Sequence, residues 1–105
     1  MTAPATADTA PLRIETCDGG LLRITLTDAK RRNALSMRMI RALDEAIAAA
    51  AADPSVRVVI LAAEGPAFCA GHDLKELTAA RASGDRGRAF FEETMTSCAR
   101  MMTAI

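Results

Sequence analysis

The fold is decided by one stretch of sequence, Phe68-Cys69-Ala70-Gly71-His72-Asp73-Leu74-Lys75-Glu76. It follows an apolar run, passes through a glycine and opens a helical pattern. At such a junction the first N–H groups of the helix have no intrahelical acceptor, and the helix dipole adds partial positive charge. The stretch therefore predicts a place where an anion or a developing oxyanion binds. Many α/β proteins contain such junctions, so the stretch by itself does not identify the ligand.

The sequence before this stretch predicts a hairpin and then a helix. Leu12–Thr16 and Leu21–Thr27 alternate apolar and polar residues, as strands with one buried face do. Asp18-Gly19-Gly20 between them is a hairpin turn signal, because glycine tolerates positive φ. Ser36 is the expected N-cap of a helix that runs to about Asp53, where the following proline ends it.

A third strand is predicted over Val56–Ala63. Its continuous apolar run, Val58-Val59-Ile60-Leu61, predicts burial on both faces. A strand, a helix and another strand in this order favour a βαβ unit with a parallel pair. The fold class is therefore α/β.

The last third of the chain predicts two more helices. Asp73 is the expected N-cap of the first, and Glu76 three residues later suggests a capping box. Ser83–Gly87 breaks the chain, and a second helix runs from Arg88. Its expected apolar stripe is Phe91, Met95, Cys98, Met102 and Ile105. No stop signal precedes the last residue, so we expect the chain to end in mid-helix, with an apolar face that needs a partner from following sequence or from another chain.

Composition excludes several function classes. Thirteen basic residues balance thirteen acidic ones, and Trp and Tyr are absent, so we expect neither a nucleic-acid nor a membrane partner. Twenty-three of the 105 residues are Ala, which bury little area and predict a thin core. Residues 1–10 have the composition of a disordered tail without a targeting signal, which favours a cytoplasmic protein. Residues 11–105 are the expected domain.

The three cysteines match no metal or redox spacing. Cys17, Cys69 and Cys98 are expected to be reduced and mostly buried small hydrophobes. A catalytic thiol at Cys69 is the alternative, which the lack of an accompanying His-Asn pair disfavours.

Two segments together resemble the crotonase superfamily, the enoyl-CoA hydratase/isomerase family. Ala70–Glu76 and the preceding Phe68 look like the family's F-x-A-G-x-D-[LI]-K-E segment. Arg32–Ser36 looks like the last five positions of its R-x-N-A-L-[ST] segment, and the interval between the two also fits. The resemblance covers Leu12 to about Ile105. It implies the N-terminal part of the crotonase spiral of ββα turns, in a protein that assembles as a trimer or hexamer.

The resemblance implies an acyl-CoA thioester as the ligand and assigns roles to ten positions. The backbone N–H of His72 would be one of two oxyanion-hole donors. The remaining substrate-binding positions are Lys30, Arg31, Arg32, Ala34, Leu35, Ala70, Asp73, Leu74 and Lys75. The three cations of the 30–32 loop also suit the phosphates of CoA by charge alone. Neither a metal nor a separate cofactor is expected.

Simpler interpretations of the same residues stay open. The family uses the backbone at His72, so its imidazole need not take part. The 30–32 loop could be a solvated surface, and Asp73 a plain N-cap.

The implied reaction is addition of water to a 2-enoyl-CoA, although isomerases, hydrolases and decarboxylases share the front part of the sequence. The family's second oxyanion donor and its acid/base glutamates lie in a later region that cannot be mapped here, and the chain looks truncated. Activity of this chain alone is therefore not expected. The alternatives are an acyl-CoA-binding protein without turnover and an unrelated small α/β domain.

Overall fold

The computed structural model describes residues 10–105. Of the predicted tail, residues 1–9 lie outside the described residues. Three strands and three helices follow in the order β1 (Leu12–Cys17), β2 (Leu21–Leu26), α1 (Met37–Ala52), β3 (Val58–Ala63), α2 (Leu74–Ala80) and α3 (Arg88–Ala104). A short 3-10 turn, Ala29–Arg31, lies between β2 and α1.

The predicted hairpin is confirmed. β1 and β2 pair antiparallel, with Cys17 opposite Leu21. Gly20 at the turn has φ 81°, and a Cβ there would lie 2.7 Å from Cγ of Arg57 and 2.9 Å from the carbonyl oxygen of Ser55. Glycine is therefore required for both the backbone conformation and the close approach of the segment that leads into β3.

The predicted βαβ unit is also confirmed. β2 and β3 pair in parallel, in the sheet order β1-β2-β3, and α1 forms the crossover between them. Ser36 is the N-cap of α1, and its hydroxyl accepts a hydrogen bond from the backbone N–H of Met39 at 3.1 Å. The helix ends before Asp53-Pro54, as the proline predicts.

The core forms around α1, which contributes to one apolar cluster together with β2 and α3. Six residues of α1 are buried, and Met39 and Ile40 are completely so. They share the cluster with Leu22, Ile24 and Leu26 of β2 and with Cys98 and Met101 of α3.

The predicted burial of β3 on both faces is wrong for this chain. Val58, Val59, Ile60 and Leu61 are 55%, 44%, 36% and 38% exposed. The core cluster that includes α1 draws its buried strand residues from β2, whereas β3 is the outermost strand within residues 10–105 and contributes only the half-buried Ala63 at its end. An apolar run reports how hydrophobic a strand is and not which elements cover it.

The predicted stripe of α3 is confirmed in part, since its Cys98 is buried and its Phe91 is half-buried. The exposure of its other members agrees with the expectation that this face needs a partner. Met95, Met102 and Ile105 are exposed, and the buried residues of α3 are Thr94, Cys98 and Met101. Thr94 can be buried at little cost because its hydroxyl donates to the carbonyl oxygen of Phe90, one turn back, at 2.8 Å.

The start of α3 depends on Asp85. Its Oδ2 accepts from the backbone N–H of Ala89 at 2.9 Å, and its Oδ1 accepts from the hydroxyl of Ser83 at 2.7 Å and from the N–H of Gly87 at 3.0 Å. The Ala89 bond first, and then those of Ser83 and Gly87, hold the pKa of Asp85 below its ordinary value.

The first prediction concerns the core. Met39→Ala should lower the free energy of unfolding by about 2–5 kcal/mol, because it removes a completely buried side chain and leaves a cavity. Met95→Ala makes the same chemical change at a 48% exposed position of α3 and should cost well under half as much. Urea unfolding followed by circular dichroism measures both; equal losses would contradict this description of the core.

The second prediction concerns pH. The pKa of Asp85 is depressed in the folded state, so its contribution is present above the unfolded pKa, near 3.8, and is lost as the pH falls through the lower folded value. Stability should therefore fall on acidification below about pH 4. Asp85→Asn should lower the free energy of unfolding at pH 7. Between neutral and acid pH, the free energy of unfolding of this variant should then decrease less than that of the unaltered protein. Parallel pH profiles for the two proteins would refute the role of this carboxylate.

Candidate functional site

Two segments that are far apart in the sequence lie side by side at the candidate site. The backbone N–H of Ala70 donates to the carbonyl oxygen of Arg32 at 3.0 Å, and that of Leu35 donates to the carbonyl oxygen of Gly71 at 2.7 Å. Leu35 and His72 form an isolated parallel β-bridge. Both segments that carried the family resemblance therefore belong to one structural unit.

The side chain of Asn33 holds the loops around this unit together. Asn33 is completely buried and has a left-handed backbone, with φ 54°. Its Nδ2 donates to the carbonyl oxygens of Glu64 at 2.9 Å and Ala67 at 3.1 Å, and its Oδ1 accepts from the N–H of Asp28 at 2.8 Å. Sequence analysis did not single out this residue. The available signal was an asparagine, a residue type that tolerates left-handed backbone, inside a loop that needs such a conformation.

The turn into α2 is made by Gly71, whose φ is 94°, and by Asp73. Oδ1 of Asp73 accepts from the N–H groups of Lys75 at 3.1 Å and Glu76 at 3.2 Å, which confirms it as the N-cap. The predicted capping box is only half formed, because Oε1 of Glu76 accepts from the N–H of Met37 at 3.0 Å. Glu76 thus binds an otherwise unpaired amide at the start of α1 and ties α2 to that helix.

The two segments and the 30–32 loop line a cleft of about 350 Å³. Its lining residues are Lys30, Arg31, Arg32, Ala34, Ala70, His72, Asp73, Leu74 and Lys75. Nine of the ten positions that the resemblance assigned are thus brought together. The tenth, Leu35, is 7% exposed and belongs to the core cluster, so it supports the cleft wall.

The cleft carries excess positive charge. Lys30, Arg31, Arg32 and Lys75 line it, and Asp73, the one carboxylate among its lining residues, already accepts two helix amides. Arg31 pairs with Asp28 at 3.1 Å, whereas the other three cations form no ion pair within residues 10–105. Their side chains are exposed, so each can contact an anionic ligand or stay solvated, and ordering a long side chain on a ligand offsets part of the gain.

The backbone N–H of His72 has no acceptor in the part of the chain that the structure describes. It lies at the cleft, beside the bridge that fixes its neighbours. The Nδ1 atom of His72 is buried and also lacks a partner among these residues. The arrangement can therefore donate a main-chain hydrogen bond to an oxygen that carries negative charge.

The cysteines give no sign of a catalytic or metal role in residues 10–105. All three are free thiols, and only Cys98 is buried; Cys69 is half-buried and Cys17 is exposed, so the expectation of mostly buried cysteines was wrong. Burial, and secondarily Cys69, raises the pKa of the Cys98 thiol.

No cluster of three His, Cys, Asp or Glu side chains within residues 10–105 is placed to hold a metal ion. No described helix is long and apolar enough to cross a membrane.

Comparison with known proteins decides the family. The family model described as enoyl-CoA hydratase/isomerase matches residues 21–104. This chain belongs to the enoyl-CoA hydratase/isomerase family. Enoyl-CoA hydratase domain-containing protein 3, mitochondrial, of Xenopus laevis is 42% identical over 93 residues, which are 89% of this chain and 30% of that protein. The protein of the same name from Danio rerio is 37% identical over all of this chain and 35% of its own length.

Solved structures of family members confirm the fold. An enoyl-CoA hydratase of Mycobacterium smegmatis superposes with a TM-score of 0.81 at 43% identity, over 90% of this chain and 35% of that one. Human enoyl-CoA hydratase domain-containing protein 3 gives 0.79 at 36% identity, over 90% and 35%. The chain therefore has part of the crotonase fold, and it spans about a third of the length of the relatives it matches.

The third prediction concerns Asn33. Asn33→Ala would leave one part-buried N–H and two part-buried carbonyl oxygens without protein partners and place alanine at positive φ, so it should cost about 3 kcal/mol of unfolding free energy. Asn33→Gly removes the same hydrogen bonds, but glycine adopts positive φ without strain. We therefore expect the glycine variant to be more stable than the alanine variant by about 1 kcal/mol. Urea unfolding of the two variants separates the cost of the lost hydrogen bonds from the cost of the strained backbone. A decrease in unfolding free energy of less than about 1 kcal/mol in Asn33→Ala would refute the role of Asn33 in holding the two loops together.

Proposed function

We propose that the cleft binds the thioester end and the phosphates of an acyl-CoA. The observation that supports this most directly is the convergence of nine assigned residues in one cation-lined cleft with a free main-chain donor. CoA carries several phosphate charges and a thioester carbonyl, which match these two features. Lys30, Arg31 and Arg32 would meet the phosphates, and the backbone around Ala70 would contact the adenine end.

At the other end, the backbone N–H of His72 would donate to the thioester oxygen. That oxygen gains negative charge as the thioester becomes enolate-like, so a fixed donor stabilises the transition state more than the ground state. In the whole protein the proposed reaction is hydration of a 2-enoyl-CoA, in which water supplies a hydroxyl to C3 and a proton to C2. The oxyanion donor polarises the double bond for that attack.

A second candidate is binding of acyl-CoA without turnover, with which the carboxylates of residues 10–105 are also compatible. Hydration needs groups that deliver and remove protons. Among the residues that line the cleft Asp73 alone is a carboxylate, and its Oδ1 is occupied by the amides of Lys75 and Glu76. Glu76 itself is bonded to Met37 at the start of α1.

The cytoplasmic location stays a prediction. The names of the frog and zebrafish relatives describe those proteins as mitochondrial.

The fourth prediction tests the proposed ligand by titration calorimetry of this chain with acetoacetyl-CoA. Lys30→Ala/Lys75→Ala should bind about five- to thirtyfold more weakly, since each exposed ionic contact is worth ~0.5–1 kcal/mol. The matched control, Arg23→Ala/Arg100→Ala, removes two exposed charges outside the cleft and should keep the affinity. Absence of any binding, or equal weakening by both pairs, would overturn the proposal.

In the whole protein, loss of the enone absorbance of crotonyl-CoA then distinguishes the two candidates. Turnover that falls ~10²–10³-fold in His72→Pro, which lacks the N–H, and persists in His72→Ala would support hydration with a main-chain donor. Binding without turnover would support the second candidate. A large loss of turnover in His72→Ala would contradict the assignment of the donor to the main chain.

A further inference from the structure

Arg32 has a left-handed backbone, which is an unusual conformation for an arginine. Its φ is 52° and its ψ is 37°, directly after the 3-10 turn Ala29–Arg31. A residue with a Cβ is unfavourable in this region, where glycine and asparagine are the usual residues. The backbone of the loop alone would therefore favour another residue type at this position.

The loop holds Arg32 in this conformation from both sides. The backbone N–H of Arg32 donates to the carbonyl oxygen of Ala29 at 2.9 Å, and its own carbonyl oxygen accepts from the N–H of Ala70 at 3.0 Å. The next residue, Asn33, is completely buried and is also left-handed. Relaxation of Arg32 to ordinary geometry would disturb the contact between the two segments of the site, so the strain is maintained by the surrounding structure.

The side chains of the two left-handed residues differ in their surroundings. The amide of Asn33 binds Asp28, Glu64 and Ala67, which accounts for an asparagine at that position. The side chain of Arg32 is instead exposed and lines the cleft. Strained residues are concentrated at binding sites, where the strain is part of how a side chain is positioned. The combination of strain and location therefore indicates that Arg32 acts on the ligand.

We propose that the guanidinium of Arg32 binds one phosphate of the CoA ligand, and that the strained backbone of Arg32 lowers the stability of the protein. This inference rests on the proposed function, because it takes CoA as the ligand. A guanidinium forms two parallel hydrogen bonds with a phosphate, whereas the ammonium groups of Lys30 and Lys75 act as point charges. Arg32 would therefore select thioesters that carry a phosphate.

Arg86 offers a matched control for both parts of the proposal. Its φ is 60°, and its side chain is also exposed. It lies in the turn before α3 and is not among the residues that line the cleft. The same substitution at the two positions thus relieves a similar strain and removes the same charge, and only the second effect should depend on the place in the fold.

The first test compares the unfolding temperature of the whole protein with those of its Arg32→Asn and Arg86→Asn variants. Asparagine tolerates positive φ, so each variant should unfold at a temperature about 1–4 °C higher. Arg32→Lys keeps both the charge and the strain, so its unfolding temperature should stay unchanged. An unfolding temperature that does not rise in Arg32→Asn would overturn the proposed strain.

The second test measures the affinity of the same proteins for acetoacetyl-CoA and for CoA by calorimetry. Arg32→Asn should bind both ligands about fivefold to thirtyfold more weakly, because both carry the phosphates that the guanidinium binds. Arg32→Lys should lose less, since it keeps the charge, and Arg86→Asn should bind as the unaltered protein does.

The outcomes separate this inference from the function on which it rests. Unchanged affinity in Arg32→Asn, or equal weakening in Arg86→Asn, would overturn the inference and leave the proposed function intact. Weakening that is limited to acetoacetyl-CoA would place Arg32 at the acyl end of the ligand and would overturn the inference as well. If the unaltered protein bound neither ligand, the proposed function itself would fail.

Discussion

The buried amide of Asn33 is the constraint on which the candidate site depends. One side chain satisfies the N–H of Asp28 and the carbonyl oxygens of Glu64 and Ala67, groups that belong to the loops after β2 and after β3. Each of these groups is part-buried and would otherwise lack a protein partner, which costs up to about 1–3 kcal/mol per group. The hydrogen bonds therefore fix the separation of the two loops, and no nonpolar side chain could replace them.

Main-chain pairing extends this constraint into the cleft. The bonds of Ala70 to Arg32 and of Leu35 to Gly71 place the residue after Gly71 against the segment that leads into α1. Glu76 adds a link between α2 and the first amide of α1. The position of the His72 N–H is thus set by backbone geometry rather than by its imidazole. A donor fixed in this way needs no reorganisation when charge develops on a bound oxygen, which is the property that makes oxyanion holes effective.

Local sequence signals predicted the elements well, because each boundary is marked by a residue with a short-range effect. Ser36 and Asp73 cap helices through their own side chains, and Asp53-Pro54 ends α1. Burial was predicted less well at β3 and α3, because periodicity defines a face without saying what covers it. The link from Glu76 to Met37 and the role of Asn33 were not predicted, since both join groups more than 30 positions apart. The glycine turn and the helix start by themselves predicted only a site for an anion. The ten residues assigned to that site came from the family resemblance.

The geometry separates two contributions that catalysis requires. In the proposed function the cations would bind the CoA phosphates and the main-chain donor would stabilise charge on the thioester oxygen, and every acyl-CoA substrate shares both groups. Proton transfer must instead occur at the carbons that differ between hydration, isomerisation and hydrolysis. A segment that contacts the thioester and not the reacting carbons is therefore compatible with all of these reactions. It would lower the activation barrier of each reaction by a similar amount. Since one oxyanion donor contributes ~10²–10³-fold and acid–base catalysis another ~10²–10⁴-fold, selection among the reactions depends on the groups that move protons. Under the proposed function, the cleft of this chain would activate the thioester, and residues outside the cleft would determine which reaction follows.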